Sequence, residues 1–141
     1  MALLDWWAIA VAILALLGVS IVGGLAFGLG MSMDAVRTID DPEAMDEAEV
    51  EDKVEDRLED AIANPTAQLQ LVALTFAGAL IGGAIVALRA PAAPLANAAV
   101  VAVVAALANF IPVGGHVPRR LQLAGCVASV LGVMIAAAIL R

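Results

Sequence analysis

The sequence predicts an all-α, polytopic membrane protein with four transmembrane helices and one acidic amphipathic helix between the first and the second. Three observations carry this prediction. The 141 residues are 63% hydrophobic, against ~45–50% in an average globular chain, and their mean hydropathy is +1.01. A water-soluble domain of this size would lack the polar surface to cover itself. The apolar residues fall into four uncharged runs, and the charges collect in one segment between them.

The first run lies at about Trp7 to Leu29, inside an uncharged stretch from Trp6 to Met33. Its 28 residues reach ~42 Å as a helix, more than the ~30 Å hydrocarbon core. No Lys or Arg precedes it, so it lacks the basic n-region of a cleaved signal and reads as a retained span. Trp6 and Trp7 suit an interfacial aromatic anchor.

Residues 34–65 form the acidic segment. Thirteen of the fourteen acidic residues lie between Asp34 and Asp60, against Arg37, Lys53 and Arg57, for a net charge of −10. Asp41–Asn64 is expected to be helical, with Asp41 as N-cap, Pro42 at the first helical position, and Glu43 near the positive end of the dipole. Asn64 before Pro65 marks its stop. Val50, Val54, Leu58, Ala61 and Ile62 share an arc of roughly 120°, with Asp52, Asp56, Glu59 and Asp60 opposite. Two readings stay open. The stripe leans on the chain's own bundle, or Val50, Val54, Leu58 and Ile62 dock a partner.

Residues 66–141 hold the other three runs: about Leu69–Leu88, Leu95–Ile111 and Leu121–Leu140. The third is at the short end of the ~17–25 residues a span needs. The connections Arg89–Pro94 and Pro112–Arg120 are short, which sets consecutive helices side by side and antiparallel. Four spans put Arg37, Lys53, Arg57, Arg119 and Arg120 on one side and Arg89 and Arg141 on the other. The excess of Lys and Arg makes the acidic side cytoplasmic, with both termini outside. The expected location is the cell membrane, as a multi-pass protein.

A weak repeat at an offset of 52 matches Leu69-Gln-Leu71 with Leu121-Gln-Leu123, Ala84 with Ala136, and Leu88-Arg89 with Leu140-Arg141. If duplication underlies it, the chain holds two parallel helical hairpins.

Only Ser20, Gln70, Thr75, Asn97, Asn109, Gln122 and Ser129 are polar within the runs, and no ionisable residue but Cys126 falls there. That counts against proton-coupled transport. Small residues four apart (Ser20, Gly24 and Gly28; Gly78 and Gly82; Gly125 and Ser129) mark faces where helices approach closely in lipid. His116, the one histidine, has no second ligand at metal-binding spacing. Its loop, Val113-Gly-Gly-His-Val-Pro-Arg-Arg120, reads as a turn with a basic interfacial anchor, where Arg119 and Arg120 are candidate headgroup contacts. Cys126, the one cysteine, sits in an apolar run and reads as a small hydrophobe. No cofactor, metal or catalytic set is indicated, so the chain is not expected to be an enzyme.

An Asp/Glu-rich segment with a single lysine beside Ala/Val-rich spans resembles the composition of membrane proteins of extreme halophiles. That likeness rests on Asp34–Asp60 and implies a habitat rather than an activity.

The expected partners are the lipid bilayer and either further copies of the chain or another membrane protein. Nucleic acid is not expected, because no basic stripe exists to neutralise phosphates. The leading functional expectation is a structural or interaction role, as a subunit or scaffold packing through small-residue faces. The alternative is a channel or small-solute carrier, which Asn97 and Asn109 facing a hydrated cavity would favour.

Overall fold

A computed structural model describes residues 4–37, 46–110 and 118–141, without the side chains of Ala35, Glu47, Glu51, Glu55, Leu58 and Ala61. Five helices follow in order: α1 (Trp6–Arg37), α2 (Glu47–Ala63), α3 (Pro65–Arg89), α4 (Pro94–Ala108) and α5 (Arg119–Ile139). No strand occurs among the described residues. The proposed caps at Asp41, Pro42 and Glu43, and the loop glycines with His116, lie outside the described residues. The described part of the acidic helix begins at Glu47.

Three helices are long and apolar enough to cross a membrane: α1, α3 with 25 residues, and α5 with 21. The expected third span is shorter than its apolar run. It forms α4, of 15 residues, or about 22 Å of helix against a hydrocarbon core of ~30 Å. Pro94 at its first turn fixes its start, and the helix gives way to a turn at Asn109 and Phe110. α1 continues beyond residue 33 to Arg37, so Asp34 belongs to the helix of the first run rather than to a separate segment.

Local chemistry explains the boundaries. The Asp5 carboxylate accepts from the Ala8 N–H at 3.0 Å, the geometry of an N-cap. Asn64 caps α3 by accepting from the Thr66 N–H at 2.9 Å, with Pro65 next in line. Gln68 reaches back from the first turn of α3 to donate to the carbonyls of Ile62 at 3.1 Å and Ala63 at 3.4 Å. The last carbonyls of α2 are thereby satisfied by the helix that follows.

Glycine environments fix the helix directions. Gly82 faces Ala12 and Leu16 of α1, Gly78 faces Leu16, Val19 and Ser20, and Gly23 faces Leu74, so α1 and α3 are antiparallel. Gly83 lies against Val133 and Ala136, while Gly132 lies against Phe76 and Ala79, so α3 and α5 are parallel. Asp5 meets Asn97, and Ile13, Leu16 and Leu17 lie beside Val101, Val104 and Ala108, so α4 runs parallel to α1 and antiparallel to α3 and α5. One end of the bundle therefore gathers Asp5, the Arg89–Pro94 turn and Arg141. The other gathers Arg37, α2 and Arg119.

The contact between α3 and α5 is the most extensive in the molecule. From Gly78 to Ala87, α3 buries positions 78, 79, 82, 83, 86 and 87. From Ala128 to Ala137, α5 buries positions 128, 129, 132, 133, 136 and 137. These two sets match at an offset of 50. At the offset of 52 found in the sequence, none of the six α3 positions falls on a buried residue of α5. The structural likeness of the two helices therefore lies in residue size and facing. It does not coincide with the identities that suggested duplication. Around this seam an apolar core runs continuously from Ile9 and Ala12 through Val86 and Val101 to Val133 and Ala137.

Candidate functional site

The most distinctive local structure lies where α4 ends. Asn109 caps that end, its side-chain amide donating to the Ala105 carbonyl at 2.8 Å and to Ser129 Oγ at 3.1 Å. Gly125 makes this possible: a Cβ there would collide with Asn109 Oδ1. One residue on, Cys126 donates from Sγ to the Ala106 carbonyl at 3.3 Å. A capping residue of α4 thus docks on α5 through a glycine and a serine spaced four apart.

Beside this junction lies a cleft of about 490 Å³ with walls from four helices. Ser20 and Gly24 come from α1, Thr75 from α3, Asn109 from the end of α4, and Ser129 from α5, among aliphatic neighbours. The Thr75 hydroxyl donates to the Leu71 carbonyl at 2.9 Å, the usual way a span satisfies a hydroxyl. Ser129 is 1% exposed; its oxygen accepts from Asn109. Among the described residues, the Ser129 and Ser20 hydroxyls have no acceptor and Asn109 Oδ1 has no donor. Among the described residues no ionisable side chain lines the cleft. Among the described residues no group of three His, Cys, Asp or Glu is placed to hold a metal. The described residues of the site offer hydroxyl and amide groups with which to bind neutral polar atoms.

The small residues singled out in the sequence divide into two groups. Gly78, Gly82, Gly125 and Ser129 are buried. The first two approach α1, with the Ala12 carbonyl 3.4 Å from the Cβ position of Gly82. Ser20 and Gly24 line the cleft, and a Cβ at Gly24 or Gly28 would meet open space. The close approach expected of Gly24 and Gly28 is not made among the described residues. The tightest backbone approaches occur at Gly83, which stands beside the Gly78–Gly82 pair in the spacing pattern, and at Gly132, which that pattern missed. A Cβ on Gly83 would strike the Val133 carbonyl, and one on Gly132 would lie 2.9 Å from the Phe76 carbonyl. Counting alanine as a small residue would have found Gly132, which stands four residues from both Ala128 and Ala136.

The two buried-run asparagines differ in role. Asn109 lines the cleft, whereas Asn97 is 1% exposed at the other end of α4. Its Oδ1 accepts from the Asp5 N–H at 2.8 Å and its amide donates to the Ala93 carbonyl at 2.9 Å, stapling α1 to α4. In the acidic helix, Val50, Val54 and Ile62 are half-buried, and α2 packs on both α1 and α3. The side chain of Leu58 lies outside the described residues. Arg119 and Arg120 are exposed in the first turn of α5, where positive charge opposes the helix dipole. Dipole interaction therefore does not explain their position. No known protein family, characterised protein or solved structure matches the chain.

Proposed function

We propose that the chain is a four-span membrane protein whose role is structural or interactive, as a subunit or scaffold rather than a conduit. The observation that carries this reading is the continuous apolar core. Val86, Val101 and Val133 are fully buried at its centre, beside the α3–α5 seam. The buried Ala105 and Ser129 line the cleft, and Asn97 is occupied by Asp5 rather than turned to a cavity. A conduit would need polar or backbone lining along its length.

The fourth span rests on α4, which is uncharged and packs on α1, α3 and α5. Local thinning of the bilayer accommodates a helix of this length at modest cost. The acidic side is proposed to be cytoplasmic, since Arg37, Lys53, Arg57, Arg119 and Arg120 outnumber Arg89 and Arg141. Cysteine labelling of intact cells on a Cys126→Ala background tests this topology. Cysteines at Glu47 and Arg119 should both be protected and one at Ala93 exposed. Opposite accessibility of Glu47 and Arg119 would refute four spans.

One observation favours a carrier: Asn109 and Ser20 both border the cleft. Reconstitution separates the two readings. Vesicles bearing the protein should match empty vesicles in permeability to ions and small solutes, while native mass spectrometry in mild detergent should find a defined oligomer or stoichiometric partner. Solute flux from a lone monomer would overturn the structural reading.

A further inference from the structure

We infer that the cleft at the end of α4 binds a neutral amphiphile bearing a hydroxyl or carbonyl group on an aliphatic body. Only seven polar residues occur in the four apolar runs, and four of them (Ser20, Thr75, Asn109 and Ser129) come from four different helices to this one cavity. Packing alone does not call for that convergence, because the tight seam between α3 and α5 is made of glycine and alanine. Two of the hydroxyls, on Ser20 and the fully buried Ser129, have unused donors, and Asn109 Oδ1 has an unused acceptor capacity among the described residues. A hydroxyl or carbonyl oxygen answers the donors, and a hydroxyl also answers the acceptor.

The rest of the wall decides the body of the ligand. It includes Leu16, Leu17, Ile21 and Leu25, and the exposed faces of Ile21 and Leu25 run on from the cleft along α1. A chain entering from the lipid therefore meets apolar surface continuously. The volume of about 490 Å³ lies within the ~300–1,000 Å³ typical of small-molecule sites. Charge is disfavoured, because among the described residues no ionisable side chain stands on the wall to compensate it, and an unpaired buried charge is strongly unfavourable.

Gly24 supplies the test, because it lines the cleft while a Cβ there meets nothing within 4 Å. Gly24→Leu adds a leucine to the cleft wall from a Cβ position that meets nothing within 4 Å. Gly28→Leu adds the same side chain in open space beyond the residues that form the cleft. The full chain in lipid nanodiscs is photolabelled with a medium-chain primary alcohol carrying a diazirine, and adducts are mapped by mass spectrometry. Adducts should concentrate on α1 between Ser20 and Leu25 and around Asn109 and Ser129. Gly24→Leu should lower that labelling by about tenfold, as the leucine displaces the probe's apolar body, while Gly28→Leu leaves it unchanged. Ser20→Ala with Ser129→Ala, which removes the donors at nearly constant volume, should also lower it, and the matching carboxylate probe should not label the cleft. Labelling spread evenly along the lipid-facing helices would overturn the inference. So would indifference to Gly24→Leu in a variant that unfolds at the wild-type temperature, or equal labelling by the carboxylate.

Discussion

Two parts of the molecule carry the same small-residue spacing and use it differently. On α3 and α5, Gly78, Gly82, Gly83 and Gly132 lie against the backbone or Cβ atoms of neighbouring helices. On α1, Gly24 and Gly28 have the same four-residue spacing and face open space. The difference comes from the neighbours available. α1 packs on α4 near Ile13, Leu16 and Leu17, opposite Val101, Ala105 and Ala108. α4 then stops at Ala108, and α1 continues to Arg37 with Ile21, Val22, Leu25 and Leu29 exposed. Glycine spacing permits close approach in lipid. Whether approach occurs is decided by the length of the helix opposite.

The sharpest way to break this comparison is to overpack the seam. Gly132→Leu should destabilise the bundle by about 3 kcal/mol, the upper part of the range for overpacking, because its side chain would begin among the Phe76 carbonyl, the Leu80 amide and the Ala79 methyl. Gly28→Leu should be tolerated. Reversible unfolding in detergent micelles measures both, and equal tolerance would remove the seam from its central place.

A smaller loss is expected at the staple between α1 and α4. Asn97→Leu leaves the Asp5 N–H without its acceptor and the Ala93 carbonyl without the Asn97 amide. It should cost about 1–2 kcal/mol, as for other unpaired polar groups in partly buried positions, and should increase hydrogen exchange at the start of α1. Unchanged exchange there would show that the staple does not hold α1 to α4.

Smaller still is the hydrogen bond at the end of α4. Ser129→Ala removes the acceptor for Asn109 and should cost about 0.6 kcal/mol, the average for such bonds between membrane helices. A loss as large as at Gly132 would move the main source of stability from the seam to this polar junction.

The same residues show what was legible in the sequence. Helix count and the ends at Asn64-Pro65, Arg89 and Pro94 follow from caps, prolines and charges, all of which act within a few residues. Glu49 and Lys53, four residues apart on α2, pair at 3.3 Å. The partner of Gly83 was not legible, because it is a backbone carbonyl 50 residues away in the sequence. The cleft was not legible either. Ser20, Thr75, Asn109 and Ser129 lie on separate helices, and their meeting depends on α4 ending at Ala108 rather than at the Pro112 that closes its apolar run.

The weakest effect concerns α2, the helix with the least apolar character. Asp52, Asp56 and Asp60 are exposed at successive four-residue steps, each like-charge pair opposing the helix by a few tenths of a kcal/mol at low salt. The Debye length falls from ~30 Å at 0.01 M salt to ~3 Å at 1 M. A peptide covering Asp41–Asn64 should gain helicity by circular dichroism over that range. A flat or falling signal would show that charge repulsion does not govern the segment.

The most direct measurement adds one methyl to each side of the comparison. Gly83→Ala places a Cβ against the Val133 carbonyl, a backbone atom that can yield only if a helix shifts, whereas Gly24→Ala places one in open space. Unfolding free energies of the two variants, measured in the same bilayer mimic, should differ. Gly83→Ala should lose about 1–3 kcal/mol, and Gly24→Ala should stay within about 0.5 kcal/mol of the parent. Equal losses, or a larger loss at Gly24, would contradict the account that α3 and α5 hold the bundle together while the Gly24 face of α1 stands free of it.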